Sequence, residues 1–319
     1  MKSTDDSDQT ESDVKNNVFE KNFEMILRNK EADMAEFYTK MKYPHYRHLI
    51  VHPTSEDQIA FENRYIGLIR AEKNARTILP YSQRSNPNLT LHDASHSQRV
   101  LEIVNLIIDI IIGEGGRLTP LEIEILYYSA WYHDLGIIIS ENEYDGNEHE
   151  YNHAQLSVQI LERYTEEYFG EGSQDRMGFT DSVCKVILSH KMGTDTLPEI
   201  SEVCGESVRL QLIGSILCLA DLCDISKRRA PKIVYQLLSE DLNKKPLDTE
   251  ENKHWLANIG TDVEINVEKR LIFVNYCDES VCGIILSDFR KWGSLHLKTI
   301  ARYVKFPVSF QYIYTGDVE

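Results

Sequence analysis

Six residues of this chain combine useful chemistry with positions on apolar helix faces. His96 falls at helical spacing with Val100, Ile103 and Ile107, His153 with Leu156, Ile160 and Tyr164, and His190 with Val183, Val186 and Ile187. His133 and Asp134 follow an apolar run that ends in Ala130-Trp131, and Asp221 lies one turn after Leu217 in the segment ILCLADLCD. Spacings of three, four and seven residues put each group on the buried side of its helix. One histidine on such a face is ordinarily a hydrogen-bonded core residue. A carboxylate there is harder to dismiss, because burying it unpaired is costly. Four histidines and two aspartates turned inward on successive helices would each need a separate polar partner. One or two shared divalent cations would satisfy all six, and mixed imidazole and carboxylate donors suit Mn, Fe, Ni, Co, Zn or Mg.

The elements that must hold these residues are clearly punctuated. A helix is expected from about Asp93 to Ile112, stopping at Gly113-Glu114-Gly115-Gly116. The next opens at Thr119-Pro120-Leu121-Glu122, a capping box with proline at the first helical position, and ends near Gly136. Further helices are predicted at about 152–169, 181–192, 206–225 and 230–241. Upstream, Val18, Phe19, Phe23, Ile26 and Leu27 form an apolar stripe, and a second helix is expected at about 56–78. Downstream, Val263, Ile265 and Val267 alternate with polar residues and the alternation resumes over Leu271–Val274, which reads as a β-hairpin. Phe306–Tyr314 adds a strand, with a helix between. The predicted fold class is mainly α: a helical bundle with N-terminal helices and a small C-terminal α+β element. The expected divisions are a disordered acidic tail at 1–17, an N-terminal helical extension at 18–87, a metal-binding helical domain at 88–242 and the C-terminal α+β element at 243–319.

Composition bounds the partners. The chain has 319 residues, 42% of them hydrophobic, enough for a sizeable core. Lys and Arg total 34 against 51 Asp and Glu, a formal charge of -17. Such a surface repels phosphate backbones, so tight non-specific nucleic-acid binding is not expected, while a small nucleotide held through a metal is compatible with it. The six cysteines show no Cys-x-x-Cys spacing and fit a reducing compartment. The N-terminus is too polar for a signal peptide, and the longest apolar stretch, Ile103–Ile112, is interrupted by Asn105 and Asp109 and too short for a bilayer. The expectation is a cytoplasmic protein without membrane contact, open to protein partners.

The ordered series resembles the HD superfamily of metal-dependent phosphohydrolases. The segment His96-Ser97-Gln98-Arg99-Val100 is similar to the family's first ligand motif, Trp131-Tyr132-His133-Asp134-Leu135-Gly136 to its doublet, and Leu219-Ala220-Asp221 to its last. Asn152-His153-Ala154-Gln155-Leu156-Ser157 and Ile187-Leu188-Ser189-His190 resemble the two extra histidines of dinuclear members. The resemblance covers about 92–225. It implies an HD-type bundle in which Asp134 bridges two metals, His96, His133 and Asp221 complete one site, and His153 and His190 the other. The run from Leu219 to Pro231, with Leu118–Glu122, also resembles HD domains of bacterial conflict systems, some of them fused to an Hsp90-like ATPase.

The implied activity is metal-dependent hydrolysis of a nucleotide or related phosphate ester. A metal can bring the pKa of bound water from 15.7 to about 7 and so supply hydroxide as nucleophile. Lys191, Arg99 and the run Lys227-Arg228-Arg229 are candidates to hold phosphate oxygens, although a solvated helix end is the preferred reading of Arg228 and Arg229. Ile137 stands after His-Asp-Leu-Gly where many family members have Lys. The absence of a Gly-Tyr-Pro motif argues against cyclic di-GMP as substrate, and the residues after the doublet match neither (p)ppGpp hydrolases nor dNTP triphosphohydrolases. His92-Asp93 also spells the doublet but reads as the N-terminal turn of a helix. His149 competes with His153, which fits better through Ser157 and the apolar stripe. His45, His48 and His52 read as loop residues, and His254 and His296 receive no role. The competing reading is a metal-stabilised nucleotide-sensing or protein-interaction module without turnover.

Overall fold

A computed structural model describes residues 55–82, 90–139, 153–170, 178–240 and 249–316. The tail at 1–17, the stripe from Val18 to Leu27, and His45, His48, His52 and His149 lie outside the described residues. The described residues belong to one compact unit.

The long helix α1 (Ser55–Ile78) is followed by α2 (Ala94–Gly113). Asp93 caps α2, its side chain accepting from the backbone N–H groups of Ser95 at 2.9 Å and His96 at 3.2 Å. Beyond the helix, Gly115 takes the left-handed conformation that lets the chain turn away. Helix α3 (Pro120–Tyr132) starts with the expected capping box: Glu122 N–H donates to Thr119 Oγ1 at 3.2 Å and Thr119 N–H to Glu122 Oε2 at 2.8 Å. From Leu121 to Tyr132 every residue is buried, which makes α3 the axis of the bundle. Around it pack α1, α2, α6 (Phe179–Met192) and α7 (Leu210–Cys223).

The same Glu122 carboxylate also receives Arg209, at the entrance to α7. The Arg209 backbone N–H, Nε and Nη2 all donate to it, at 3.0, 2.7 and 2.6 Å. The starts of α3 and α7 are thereby joined by an ion pair whose carboxylate is buried and whose guanidinium is partly exposed. Tyr128 and Tyr132 of α3 contact Phe169, and Tyr132 OH donates to the Tyr168 carbonyl at 3.0 Å, docking α5 (Thr165–Phe169) onto the bundle, while α4 (His153–Arg163) packs on α6.

Two expected elements differ, and one helix was not expected. The helix predicted at 152–169 is two helices, because Tyr164 leaves helical geometry between α4 and α5. The helix predicted from 206 begins at Leu210. Glu206–Val208 instead forms strand β2, paired antiparallel with β1 (Ser201–Val203). The turn between them places Cys204 and Gly205 at positive φ, 52° and 78°, the geometry that closes a two-residue hairpin. A helix absent from the sequence reading, α9 (Thr249–Gly260), follows α8 (Lys232–Glu240) and buries Trp255.

The C-terminal element is α+β, as expected. β3 (Thr261–Asn266) pairs antiparallel with β4 (Leu271–Tyr276), with Val263 opposite Val274 and Ile265 opposite Ile272. β5 (Ser309–Tyr314) adds parallel to β4. Between them run α10 (Glu279–Asp288), a π turn at Phe289–Gly293 and α11 (Ser294–Tyr303), which packs on α7. No helix among the described residues is long and apolar enough to cross a membrane.

Candidate metal centre

Five segments bring the six reactive residues to one place. His96 sits in the first turn of α2, His133 and Asp134 directly after α3, and His153 at the start of α4. His190 and Asp221 lie in the last turns of α6 and α7. The ligand atoms of His96, His133 and Asp221 fall within 4.8 Å of one another, as do those of Asp134, His153 and His190. The structure thus brings together the residues that the resemblance grouped. Asp134 touches both groups: Oδ2 is 3.2 Å from His96 Nε2 and 3.4 Å from His133 Nε2, while Oδ1 is 3.3 Å from His153 Nε2.

The imidazoles are oriented from behind. His133 Nδ1 lies 3.0 Å from the Ala130 carbonyl, and His190 Nδ1 lies 2.5 Å from that of Ile187. A carbonyl oxygen only accepts, so both rings carry their proton on Nδ1 and turn a bare Nε2 lone pair inward. His96 Nδ1 is held by Asp224 Oδ2 at 2.6 Å. The inward nitrogens then crowd each other, with His96 Nε2 3.1 Å from His133 Nε2 and His153 Nε2 2.8 Å from His190 Nε2. Asp134 Oδ2 and Asp221 Oδ1 are buried and accept no hydrogen bond. Lone pairs and orphaned carboxylate oxygens turned toward shared points form a donor set for divalent cations.

Electrostatics agree. Burial opposes charge on both carboxylates, but the surrounding imidazoles hold Asp134 and Asp221 well below the usual carboxylate range. Burial lowers His133. Burial, with His153 and His133 as neighbours, drives His190 down to about 3. Burial and Arg229 also push His96 down, yet the adjacent carboxylates of Asp134, Asp221 and Asp224 outweigh them and raise it to about 10. Without a metal, a proton on His96 supplies the positive charge that the carboxylates require.

Supporting residues fix this geometry. Ser157 Oγ donates toward the carbonyls of His133 at 2.8 Å and His153 at 2.9 Å, and accepts from Gly136 N–H at 2.7 Å. Gly136 must lack a side chain, because a Cβ there would stand 2.1 Å from the His153 carbonyl oxygen. Asp224, which the sequence reading missed, orients His96 and is itself gripped by Arg99, with Nε donating to Oδ1 at 2.7 Å and Nη2 to Oδ2 at 3.0 Å. One signal was present: Asp224 follows Asp221 by three residues and so shares its helix face.

The candidate phosphate-binding residues are distributed differently. Arg99 faces Asp224 as described. Lys191 is exposed in the last turn of α6, where its charge favours ionisation of Asp288 against the effect of burial. Lys227 and Arg228 are exposed, but Arg229 is not the solvated residue that was expected. Its Nη1 lies 3.8 Å from Asp221 Oδ1 and its Nη2 2.6 Å from His92 Nε2. His92 Nδ1 in turn sits 2.6 Å from the Thr90 carbonyl, so the ring is neutral and accepts from the guanidinium. Burial and Arg229 both hold His92 well below the usual imidazole range. Asp93 does form the predicted N-terminal turn, whereas His92 belongs to the surroundings of the centre.

No curated protein and no solved structure matches the chain. The HD-CE family model matches residues 87–298, a span that holds all six converging residues and runs on through α9, the β3–β4 hairpin and α10 into α11. With well over half of its 319 residues inside that match, the chain belongs to the HD-CE family and carries an HD-type domain.

Proposed function

We propose that this protein is a metal-dependent phosphohydrolase acting on a nucleotide or related phosphate ester. One observation carries the reading: four inward imidazole nitrogens and two ionised carboxylates converge in two adjoining groups that share Asp134. His96, His133 and Asp221 would hold one divalent ion, His153 and His190 a second, with Asp134 between them. When bound, such ions supply Lewis acidity toward a phosphoryl oxygen and activate a water molecule.

The chain's own residues do the rest. Asp224 and the carbonyls of Ala130 and Ile187 hold His96, His133 and His190 in their ligand tautomers. Ser157 keeps the backbones of His133 and His153 at a fixed separation. We assign Lys191, exposed and next to His190 in sequence, to contact with a substrate phosphate.

The test is an assay of the Mn²⁺-loaded protein against mono-, di-, tri- and cyclic nucleotides, beside Asp134→Ala with its fold checked by circular dichroism. Hydrolysis by the wild type alone is the expected result. Nucleotide binding without turnover would move the assignment to a sensing module. Absence of bound metal in both proteins would overturn the reading.

A further inference from the structure

Arg229 carries more donors than its surroundings use. Its backbone is fixed on both sides: its N–H donates to the Ser226 carbonyl at 2.9 Å and its carbonyl accepts from Leu91 N–H at 3.0 Å. The side chain is only 14% exposed. At 2.6 Å, the contact of Nη2 with His92 sets the plane of the guanidinium. Yet Nε is buried with no acceptor, and Nη1 stands 3.8 Å from Asp221 Oδ1, beyond hydrogen-bonding distance. A desolvated guanidinium with an uncommitted Nε–H is an unusual thing to leave in a folded protein, since a buried unmet donor is destabilising. Asp221 cannot move to satisfy it without leaving His96 Nε2, which it meets at 3.2 Å.

An anionic oxygen arriving beside Asp221 would complete the arrangement. A guanidinium offers N–H donors in a planar fork that matches phosphoryl oxygens, and low exposure strengthens each charge-assisted hydrogen bond. We propose that Arg229 binds a phosphoryl oxygen of the substrate, and that His92 is the positioning residue that holds the guanidinium ready. The proposal rests on the phosphohydrolase reading of the centre, and it names the group that recognises the phosphoryl anion there.

The experiment titrates inorganic phosphate into the full-length Mn²⁺-loaded protein by calorimetry and measures the metal content of each variant. Arg229→Met is expected to retain metal and lose at least about tenfold in phosphate affinity, the scale of one or two charge-assisted hydrogen bonds. His92→Leu is expected to weaken phosphate several-fold. His92→Gln, whose side-chain oxygen can still accept from the guanidinium, should bind close to wild type. If Arg229→Met does not fold, Arg229→Lys keeps the charge without the planar fork and is expected to lose affinity as well. Unchanged phosphate affinity in the Arg229 variants would overturn the proposal. So would loss of metal from them, which would make Arg229 only a counter-charge to Asp221. Wild-type behaviour of His92→Leu would remove His92 from its role. If the wild type holds no metal, the phosphohydrolase reading falls on its own. The same titration on metal-free protein then still judges Arg229: discrimination between wild type and variant upholds it, and equal or absent binding refutes it.

Discussion

Replacing Asp224 by Asn isolates the support behind the candidate centre from the centre itself. Asp224 is 4% exposed, and its two oxygens serve two donors, His96 Nδ1 and the Arg99 fork. Asn preserves the shape but removes the charge and puts an N–H₂ group where an oxygen was. Whichever way the amide turns, it opposes a donor with a donor. Breaking a buried ion pair by removing one partner costs about 3–5 kcal/mol, and the slight exposure of Arg99 places this case near 3 kcal/mol. The second effect falls on the metal. Loss of a carboxylate behind a ligating histidine lowers metal affinity by about 10–100-fold. Both quantities are measurable: urea unfolding of the metal-free protein gives the first, and Mn²⁺ titration against a competing chelator gives the second. Arg99→Met is the control, because it leaves the carboxylate free to hold His96. It should lose stability while keeping Mn²⁺ affinity within about threefold, less than the 10–100-fold expected for the carboxylate itself. Equal loss of metal in Asp224→Asn and Arg99→Met would show that Asp224 acts through general stability. Unaltered affinity in Asp224→Asn would refute the orienting role outright.

Three further predictions follow from other parts of the molecule. Gly136→Ala forces a Cβ against the His153 backbone carbonyl, which has no flexible side chain to give way, and is expected to destabilise by about 1–3 kcal/mol, read as a lowered thermal midpoint; a wild-type midpoint would contradict the close approach. Glu122→Gln leaves Arg209 without its buried counter-ion and should cost about 3 kcal/mol in urea unfolding, whereas a change below about 0.5 kcal/mol would mark the pair as dispensable. Mn²⁺ uptake should release protons. His96 is raised to about 10 in the metal-free protein, so it is protonated at neutral pH and must give up its Nε2 proton to bind. Apparent Mn²⁺ affinity therefore rises with pH until about 10, and calorimetry in buffers of different ionisation enthalpy reads the released proton; buffer-independent heats would sink this account.

The converging residues were legible because four of them lie on apolar helix faces, where a polar side chain demands a reason, and His133 and Asp134 directly follow a helix that is apolar throughout. The helices themselves were legible through local chemistry: Thr119 caps the end it was expected to cap, Asp93 stands in the expected N-terminal turn, and Gly113–Gly116 ends α2. What escaped depends on long-range contact. Arg229 sits in a run of basic residues and looks solvated from its neighbours alone. Only the return of residues 90–92 beside it, 137 positions away for the His92 contact, buries it. Strands β1 and β2 were lost because three residues are too few for alternation to register, and their pairing depends on the Cys204-Gly205 turn. Helix α9 went unread because its first six residues are polar and its apolar residues, Trp255, Leu256, Ala257 and Ile259, are bunched in its second half.

The Glu122–Arg209 pair has a mechanical consequence. It clasps α3 and α7 at their first turns, and both helices then run the same way to His133 and Asp221. The two arms are nearly equal: about 11 and 12 residues, roughly 17–18 Å at 1.5 Å per residue. A rocking motion about the clasp would therefore carry the tips of both helices by similar amounts. His133 and Asp221 would travel as a pair, and the mismatch would be taken up against His96 on α2, which does not share the clasp. A clasp about 11 residues, some 17 Å, away from the centre would thus decide which distances within it are stiff and which can give.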